Sequence, residues 1–519
     1  MSLFRTAREK ALDPRRPERF HGSELDSPAA YYCLPPAVRL ARLSTGRGLL
    51  VQAKRVLILG IGPIPLENPN FQHGTCLRTW QLTKTLHNDG HELFLICFRV
   101  TGSPGAKDRS ARKEIHRERL RYLSLTEEEC VHLPLIRQYV DEFRPDCVVG
   151  TNTYPSSILA QLNPEVPFWA DVNGYFMGEA QAKAARYEND HYVKHHWDIL
   201  LPALLTGDRF SVTSTAQKSV LIGELDLAGR LNCYTFGYEF VGVIPTGREP
   251  FEPRPGASQL RGGVVPPDAF VVLWLGGYNL WYDMETLFAG LERAMSLNPR
   301  IHYVSTGGAL EGQDDYSFDR LRAMIERSPH RARYHFLGWV AFDRVDPLCR
   351  ECDVGLNVDA ACYEAVFGAR NRITDMMRVG LPVVTSLSTE ISHAVASEQC
   401  GWGFAVGDAE AMAQAILLAA DHRDELRRRG EKAQRYFERH YTLSESGRPL
   451  REWVAGSPSK APDWRCPNAA GWPLPIRAAD LRRMSPPRRL AYRYAKFGAR
   501  GLLAQLLSTR KRPERVVPP

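Results

Sequence analysis

Tyr363 to Ser386 reads YEAVFGARNRITDMMRVGLPVVTS. An acid, Glu364, stands near its start, and two arginines follow one residue apart, Arg370 and Arg372. Asp375 comes next, then apolar residues at 376, 377 and 379. Gly380 and Pro382 stop that run, and the β-branched Val383, Val384 and Thr385 begin another. This order predicts a charged loop, a helix, a tight turn and a buried strand. Guanidinium forks and the free N–H groups of a helix N-terminus converge on one spot and make an anion site. Asp375 lies about one helical turn beyond Arg372, where it can accept hydrogen bonds from hydroxyls next to that anion. A phosphate with a neighbouring diol describes a nucleotide. The competing reading is a surface helix with solvated arginines.

Short strands and helical stretches alternate on the N-terminal side of this segment. FVVLWL (270–275) ends in Gly276-Gly277 before a helical pattern, and strands are expected again at 301–306, 334–338 and 352–358. Such alternation builds a parallel sheet. Farther upstream, KRVLILG (54–60), a loop to Gly74, a helix over 76–89 and ELFLICF (92–98) make the opening of a Rossmann-like unit. The dinucleotide fingerprint is not completed, because Pro65 follows Gly60-Ile61-Gly62 where a third glycine is needed. No NAD site is implied. Further strands are expected at 147–152, 166–173, 207–214 and 241–247. Asp171 and Asn173 end the 166–173 strand, the position from which side chains face a cleft in parallel sheets; capping the next helix, which carries Glu179, is the alternative for Asp171.

Composition bounds the rest. The chain has 519 residues, a net charge of +8 and eleven cysteines. Twelve Lys/Arg against two Asp/Glu lie between Arg477 and Arg515, so the basic character belongs to the tail and the body is close to neutral. That argues against a nucleic-acid-binding body. No apolar run reaches the length of a membrane span, the N-terminus does not resemble a secretory signal, and cysteines scattered among apolar neighbours suit a reducing cytosol. Cys349 and Cys352 form a lone CxxC without a second pair and are not expected to hold metal. Asp314-Asp315 reads as a solvated turn, and 101–130 as a charged loop plus a surface helix. Ser485 to Arg512 is basic and amphipathic, suited to an anionic membrane face or to another protein surface. The expected location is cytoplasmic, with peripheral association at the inner membrane face as one of the two roles open to that segment.

The segment 363–386 also resembles the donor site of GT-B glycosyltransferases of the GT4-like group, whose signature is E-x7-E followed by a stretch like A-x-A-x-G-x-P-V-V. Asp375 takes the second glutamate's place, with Gly380, Pro382, Val383 and Val384 in register, while the first falls on Phe367. A divergent branch shows E-x2-F-x2-R-x-R-x2-D, which Glu364, Phe367, Arg370, Arg372 and Asp375 satisfy. Gly74, Arg78, Gly90-His91-Glu92-Leu93, VGVIPTG (241–247), Gly401 to Val406 with Asp408, and the helix ending in ERHYT match the family elsewhere. The largest departure lies between Gly276 and Glu285. The mainstream pattern has an arginine and a lysine in this region; here it carries Trp281 and Asp283 and neither cation.

The resemblance implies an α/β, GT-B architecture of two Rossmann-like domains facing a cleft. The parts would be an extension (1–52), an acceptor domain (53–247), a Pro/Gly/Arg-rich linker (248–264), a donor domain (265–455), and a linker with the basic tail (456–519). It implies hexosyl transfer from a nucleotide-sugar to an acceptor hydroxyl, retaining, without metal or other cofactor, in cell-surface polysaccharide or glycoconjugate synthesis. The acceptor would be a glycan, a lipid-linked molecule or a small molecule. Arg370 and Arg372 would stabilise the leaving diphosphate. Glu364 and the Gly276-Gly277 loop would approach the sugar, and Asp375 would hold the ribose. Trp281, Asp283 and Glu390 would complete the nucleotide-sugar site. Asp171, His73, Gly74, Arg78 and Asn173 would face the acceptor. An inactive GT-B scaffold that binds nucleotide or glycan, and a nucleotide-sugar epimerase, are the alternatives.

Overall fold

The computed structural model describes residues 52–68, 73–99, 113–253, 260–310, 314 and 316–464. Two sheets within one compact unit carry the fold. The first is formed by β1 (Arg55–Ile61), β2 (Glu92–Arg99), β3 (Glu114–Arg117), β4 (Leu120–Thr126), β5 (Cys147–Gly150), β6 (Phe168–Asp171), β7 (Arg209–Val212) and β8 (Val241–Val243), in the order β3-β4-β2-β1-β5-β6-β7-β8. The second contains β9 (Phe270–Trp274), β10 (Ile301–Thr306), β11 (Tyr334–Gly338), β12 (Val354–Asn357), β13 (Val383–Ser386) and β14 (Gly401–Phe404), in the order β11-β10-β9-β12-β13-β14. Every pairing is parallel except β3 on β4.

Both halves are thus Rossmann-like, as expected, and each is wound outward from its middle in two directions. The winding reverses between β1 and β5 and again between β9 and β12, and a crevice opens at the carboxyl ends of the strands there. The strand sequences follow from burial on both faces, which requires continuous apolar runs. Only Arg55 of β1 is exposed, and all of β9 is buried. Two apolar clusters serve each sheet.

The structure corrects three readings. The charged stretch 101–130 holds β3, β4 and a short helix, Glu127–Val131, among its described residues. β3 is charged because it is the sheet edge, where polar residues discourage further pairing. Asp314 is not solvated: it is buried and accepts hydrogen bonds from the Tyr316 and Ser317 N–H groups and the Ser317 hydroxyl. Residues 456–464 are not a free linker but lie on the first domain. Asp463 is fully buried, and its two oxygens accept from Arg230 at 2.8 and 3.0 Å. Asp208 accepts from the Ala461 N–H at 2.7 Å and pairs with Lys460 at 2.9 Å. Residues 1–52, Asp315 and the amphipathic segment 485–512 lie wholly or almost wholly outside the described residues. Among the described residues, no helix is long and apolar enough to cross a membrane.

Asp463→Ala should therefore lower the unfolding free energy by about 3–5 kcal/mol, because Arg230 is left as an uncompensated buried charge. Urea denaturation measures this. An unchanged midpoint would return 456–464 to the status of a linker.

The chain crosses between the sheets twice, after β8 and again at Tyr441–Thr442. The crossings are joined: the Arg248 N–H donates to the Tyr441 carbonyl at 3.0 Å, and the Leu443 N–H donates to the Arg248 carbonyl at 3.1 Å. Beyond the second crossing, the Arg448–Ala455 helix seats Leu450 and Val454 in a cluster of the first domain with Val56, Ile58 and Trp169.

Candidate functional site

At the β9–β12 reversal, the loop after β9 turns through Gly276 (φ 88°), and the loop after β10 turns through Gly307 (φ 79°). A Cβ on Gly307 would lie 2.5 Å from the Gly276 carbonyl carbon, so the two loops touch backbone to backbone. The remainder of the β9 loop fastens to the loop after β12. The Asp283 N–H donates to the Val358 carbonyl at 3.2 Å, and the Ala360 N–H donates to Trp281 at 2.9 Å. Asp283 itself caps the Met284–Leu297 helix, accepting from the Thr286 N–H at 2.9 Å and its hydroxyl at 2.7 Å.

The Asn371–Arg378 helix aims its N-terminus at this crevice, and the two arginines divide their work. Arg370 is 2% exposed. Its Nε donates to Asp359 at 2.7 Å, and its terminal nitrogens donate to the two oxygens of Glu364 at 3.2 and 2.8 Å. Asp359, fully buried, also accepts from Asn357 at 2.9 Å and from the Ser388 hydroxyl at 2.5 Å. Burial pushes the Glu364 carboxyl above its usual range, although Arg370 pulls it down. Arg370 was expected at the leaving diphosphate; here its donors are taken by two buried acids, and it organises the loops instead. Arg372 is different. Its guanidinium lies 3.9 Å from the Trp274 ring centroid and 4.3 Å from that of Tyr282, and Nη2 donates to the Gly277 carbonyl at 2.7 Å. Its Nη1 is buried with no hydrogen-bond partner among the described residues.

Asp375, one turn on, pairs with Arg248 at 3.1 Å beside the linked crossings. Glu390 spans the two domains. It accepts from the Thr215 and Ala216 N–H groups, at 2.8 and 3.2 Å, in the first turn of the Thr215–Leu227 helix. Neither acid lies free at the crevice.

On the first domain, Gly74 opens the Gly74–Asn88 helix, and a Cβ added there would stand 3.3 Å from the Asn371 side chain across the cleft. His73, just before it, is hydrogen-bonded to the Thr75 hydroxyl at 2.8 Å, and burial pushes its imidazole down to about 4. Asn173 donates to the Asn152 side chain at 3.1 Å. Asn152 sits at φ 71°, a conformation a non-glycine residue holds only when its surroundings impose it.

Asp171 does not face an acceptor. It is fully buried, receives Arg78 at 3.0 and 2.6 Å, and accepts from the Ser211 hydroxyl and the Asn152 N–H. Arg78 also donates to Gln81 and to the Ile244 carbonyl, so this pair stitches four strands' ends together from beneath the cleft. Cys349 and Cys352 are buried thiols that burial pushes up.

The reading of the sequence missed Asp359, Trp274, Tyr282 and Asn152. Asp359 lies two residues beyond the end of β12, at the carboxyl end of a strand, the one signal that marks it.

A family pattern described as glycosyl transferases group 1 matches residues 269–422. No curated protein matches the sequence. Among solved structures, sucrose-phosphate synthase from Thermosynechococcus elongatus is similar, with TM-score 0.60 and 14% identity over 78% of this chain and 98% of that one. Anabaena Alr3699/HepE in complex with UDP and glucose matches with TM-score 0.57 and 16% identity over 78% and 100%. The UDP-forming α,α-trehalose-phosphate synthase from Burkholderia vietnamiensis matches with TM-score 0.57 and 14% identity over 78% and 99%. At these identities the likeness to solved structures establishes the fold.

Proposed function

We infer that this chain is a GT-B glycosyltransferase of the group 1 type, which moves a sugar from a nucleotide-sugar to an acceptor hydroxyl. The observation that carries this reading is Arg372. The β9 loop lacks the cations of the mainstream pattern, yet a guanidinium reaches that loop from the Asn371–Arg378 helix and, among the described residues, keeps one nitrogen without a partner. Trp274 and Tyr282 hold it as a rigid, weakly hydrated cation. With the helix N-terminus it offers fixed positive charge to a departing diphosphate. In the transfer, the bond from the anomeric carbon to the diphosphate oxygen breaks, and the acceptor oxygen bonds to that carbon. The hydroxyl proton leaves with the diphosphate.

We carry retention of configuration and metal independence as parts of the same reading, and UDP as the first nucleotide to test, since HepE was solved with UDP and UDP-glucose. Thermal unfolding with UDP, GDP, ADP, dTDP and CMP, and with their sugar conjugates, tests it. One nucleotide should raise the melting temperature by mass action, and Arg372→Ala should remove that shift. No shift with any nucleotide, in a folded sample, would favour the inactive scaffold. Activity that survives EDTA and a product NMR spectrum showing the donor's anomeric configuration would support the finer claims.

A further inference from the structure

The Thr215–Leu227 helix starts at the cleft, where Glu390 receives its first N–H groups, and its 13 residues carry the chain about 20 Å away from there. It delivers a loop, LAGRLNCYTF (227–236), that is turned inside out. The polar side chains face inward. Arg230 and Thr235 are buried, the Thr235 hydroxyl donates to the Arg230 carbonyl at 2.6 Å, and the Asn232 N–H donates to the Thr235 hydroxyl at 3.0 Å. Arg230 also donates to the Leu204 and Gly207 carbonyls at 2.7 and 3.0 Å. The large apolar side chains stand outside: Leu227 is 88% exposed and Phe236 95%, with Leu231 and Tyr234 about half-exposed. A single exposed apolar residue is ordinary. Here four fall within ten residues, on a backbone that its own polar groups hold in shape.

The start of the basic tail is tied to the same loop. Asp463, which holds Arg230, also accepts from the Asn232 side chain at 3.1 Å. The half-exposed Trp464 follows directly, so the last 55 residues set out from beside the loop. They carry the twelve Lys/Arg against two Asp/Glu between Arg477 and Arg515. We propose that Leu227, Leu231, Tyr234 and Phe236 insert into an anionic lipid surface to which the basic tail draws the protein. The two parts do different work. Charge on the tail attracts over a Debye length, and the loop adds apolar burial at the headgroup boundary, with the Tyr234 hydroxyl left among the headgroups. Exposure decides between lipid and a protein occupant. A side chain exposed at 95% has almost no neighbours beside it. It projects, and does not line a groove that a helix of the tail or a second copy could fill. The arrangement holds the first domain by the end of a helix remote from the cleft, and it is independent of the nucleotide-sugar reading.

Flotation of the full chain with vesicles tests this, using phosphatidylcholine alone and phosphatidylcholine with about 30% phosphatidylglycerol. The wild type should bind the anionic vesicles and bind the neutral ones far more weakly. Leu227→Ser combined with Phe236→Ser should lower the partition coefficient for the anionic vesicles roughly a hundredfold, about tenfold for each side chain withdrawn from lipid. The binding that remains should fall steeply with salt. Arg488→Gln, Arg489→Gln, Arg493→Gln and Lys496→Gln together should also weaken binding, and should remove most of its salt dependence. The Leu227→Ser, Phe236→Ser chain should keep the wild-type urea midpoint, because both side chains lie outside the core. Wild-type protein that ignores anionic vesicles, or equal binding by the double variant, overturns the proposal. A dimer that the double variant dissociates assigns the loop to a second copy, and a lowered urea midpoint in that variant assigns it to the chain's own tail; either overturns the lipid assignment.

Discussion

Arg370→Ala should unfold at lower urea than the wild type, by about 3–5 kcal/mol of stability, and should have no transferase activity. The magnitude is that of removing one partner from a buried ion cluster. Asp359 and Glu364 would stay buried with the cation gone. Asp359 also holds Asn357 and Ser388, so its loss of charge balance loosens the loops after β12 and β13 together. Arg370→Met combined with Asp359→Asn and Glu364→Gln should recover much of the stability and none of the activity. That separation would show that the cluster organises the site beyond holding the fold. An Arg370→Ala chain with the wild-type urea midpoint would contradict the buried cluster itself.

Arg372→Ala gives the second large effect, on rate. Removing one preorganised donor from a site of developing negative charge costs roughly a hundredfold to a thousandfold in kcat. Stability should change far less, because the lost contacts are an aromatic stacking worth up to about 2 kcal/mol and one hydrogen bond to Gly277. Arg372→Lys keeps a charge but not the planar fork that lies on Trp274 and Tyr282, and should recover only part of the rate. Steady-state kinetics with the cognate donor decides. A kcat within fivefold of wild type would place the diphosphate elsewhere.

The sequence carried the two sheets plainly, because strands buried on both faces are continuous apolar runs and the glycines that end them mark the crevices. It showed less of the site. The spacing of Arg370 and Arg372 revealed two cations near a helix start, but both looked alike. What separates them is partners 11 and 95 residues away, Asp359 and Gly277. Asp171 stood at a strand end as a cleft residue should, yet Arg78, 93 residues earlier, takes it inward. Such pairings leave no local periodicity. Edge strand β3 was hidden for the opposite reason, since its charges imitate a loop.

The return of the chain to the first domain bears on how the protein is made. Arg230 emerges from the ribosome 233 residues before Asp463, its buried counter-ion. At roughly 5–20 residues per second, the first domain waits on the order of 10–50 s for the piece that neutralises it. Meanwhile the whole second domain is synthesised as an uninterrupted insert. Its sheet uses only residues 270–404 and has no such debt to settle. The order of completion in the cell is thus the reverse of the order of translation. The half made first is finished last, with its face for Leu450 and Val454 open to chaperones until then.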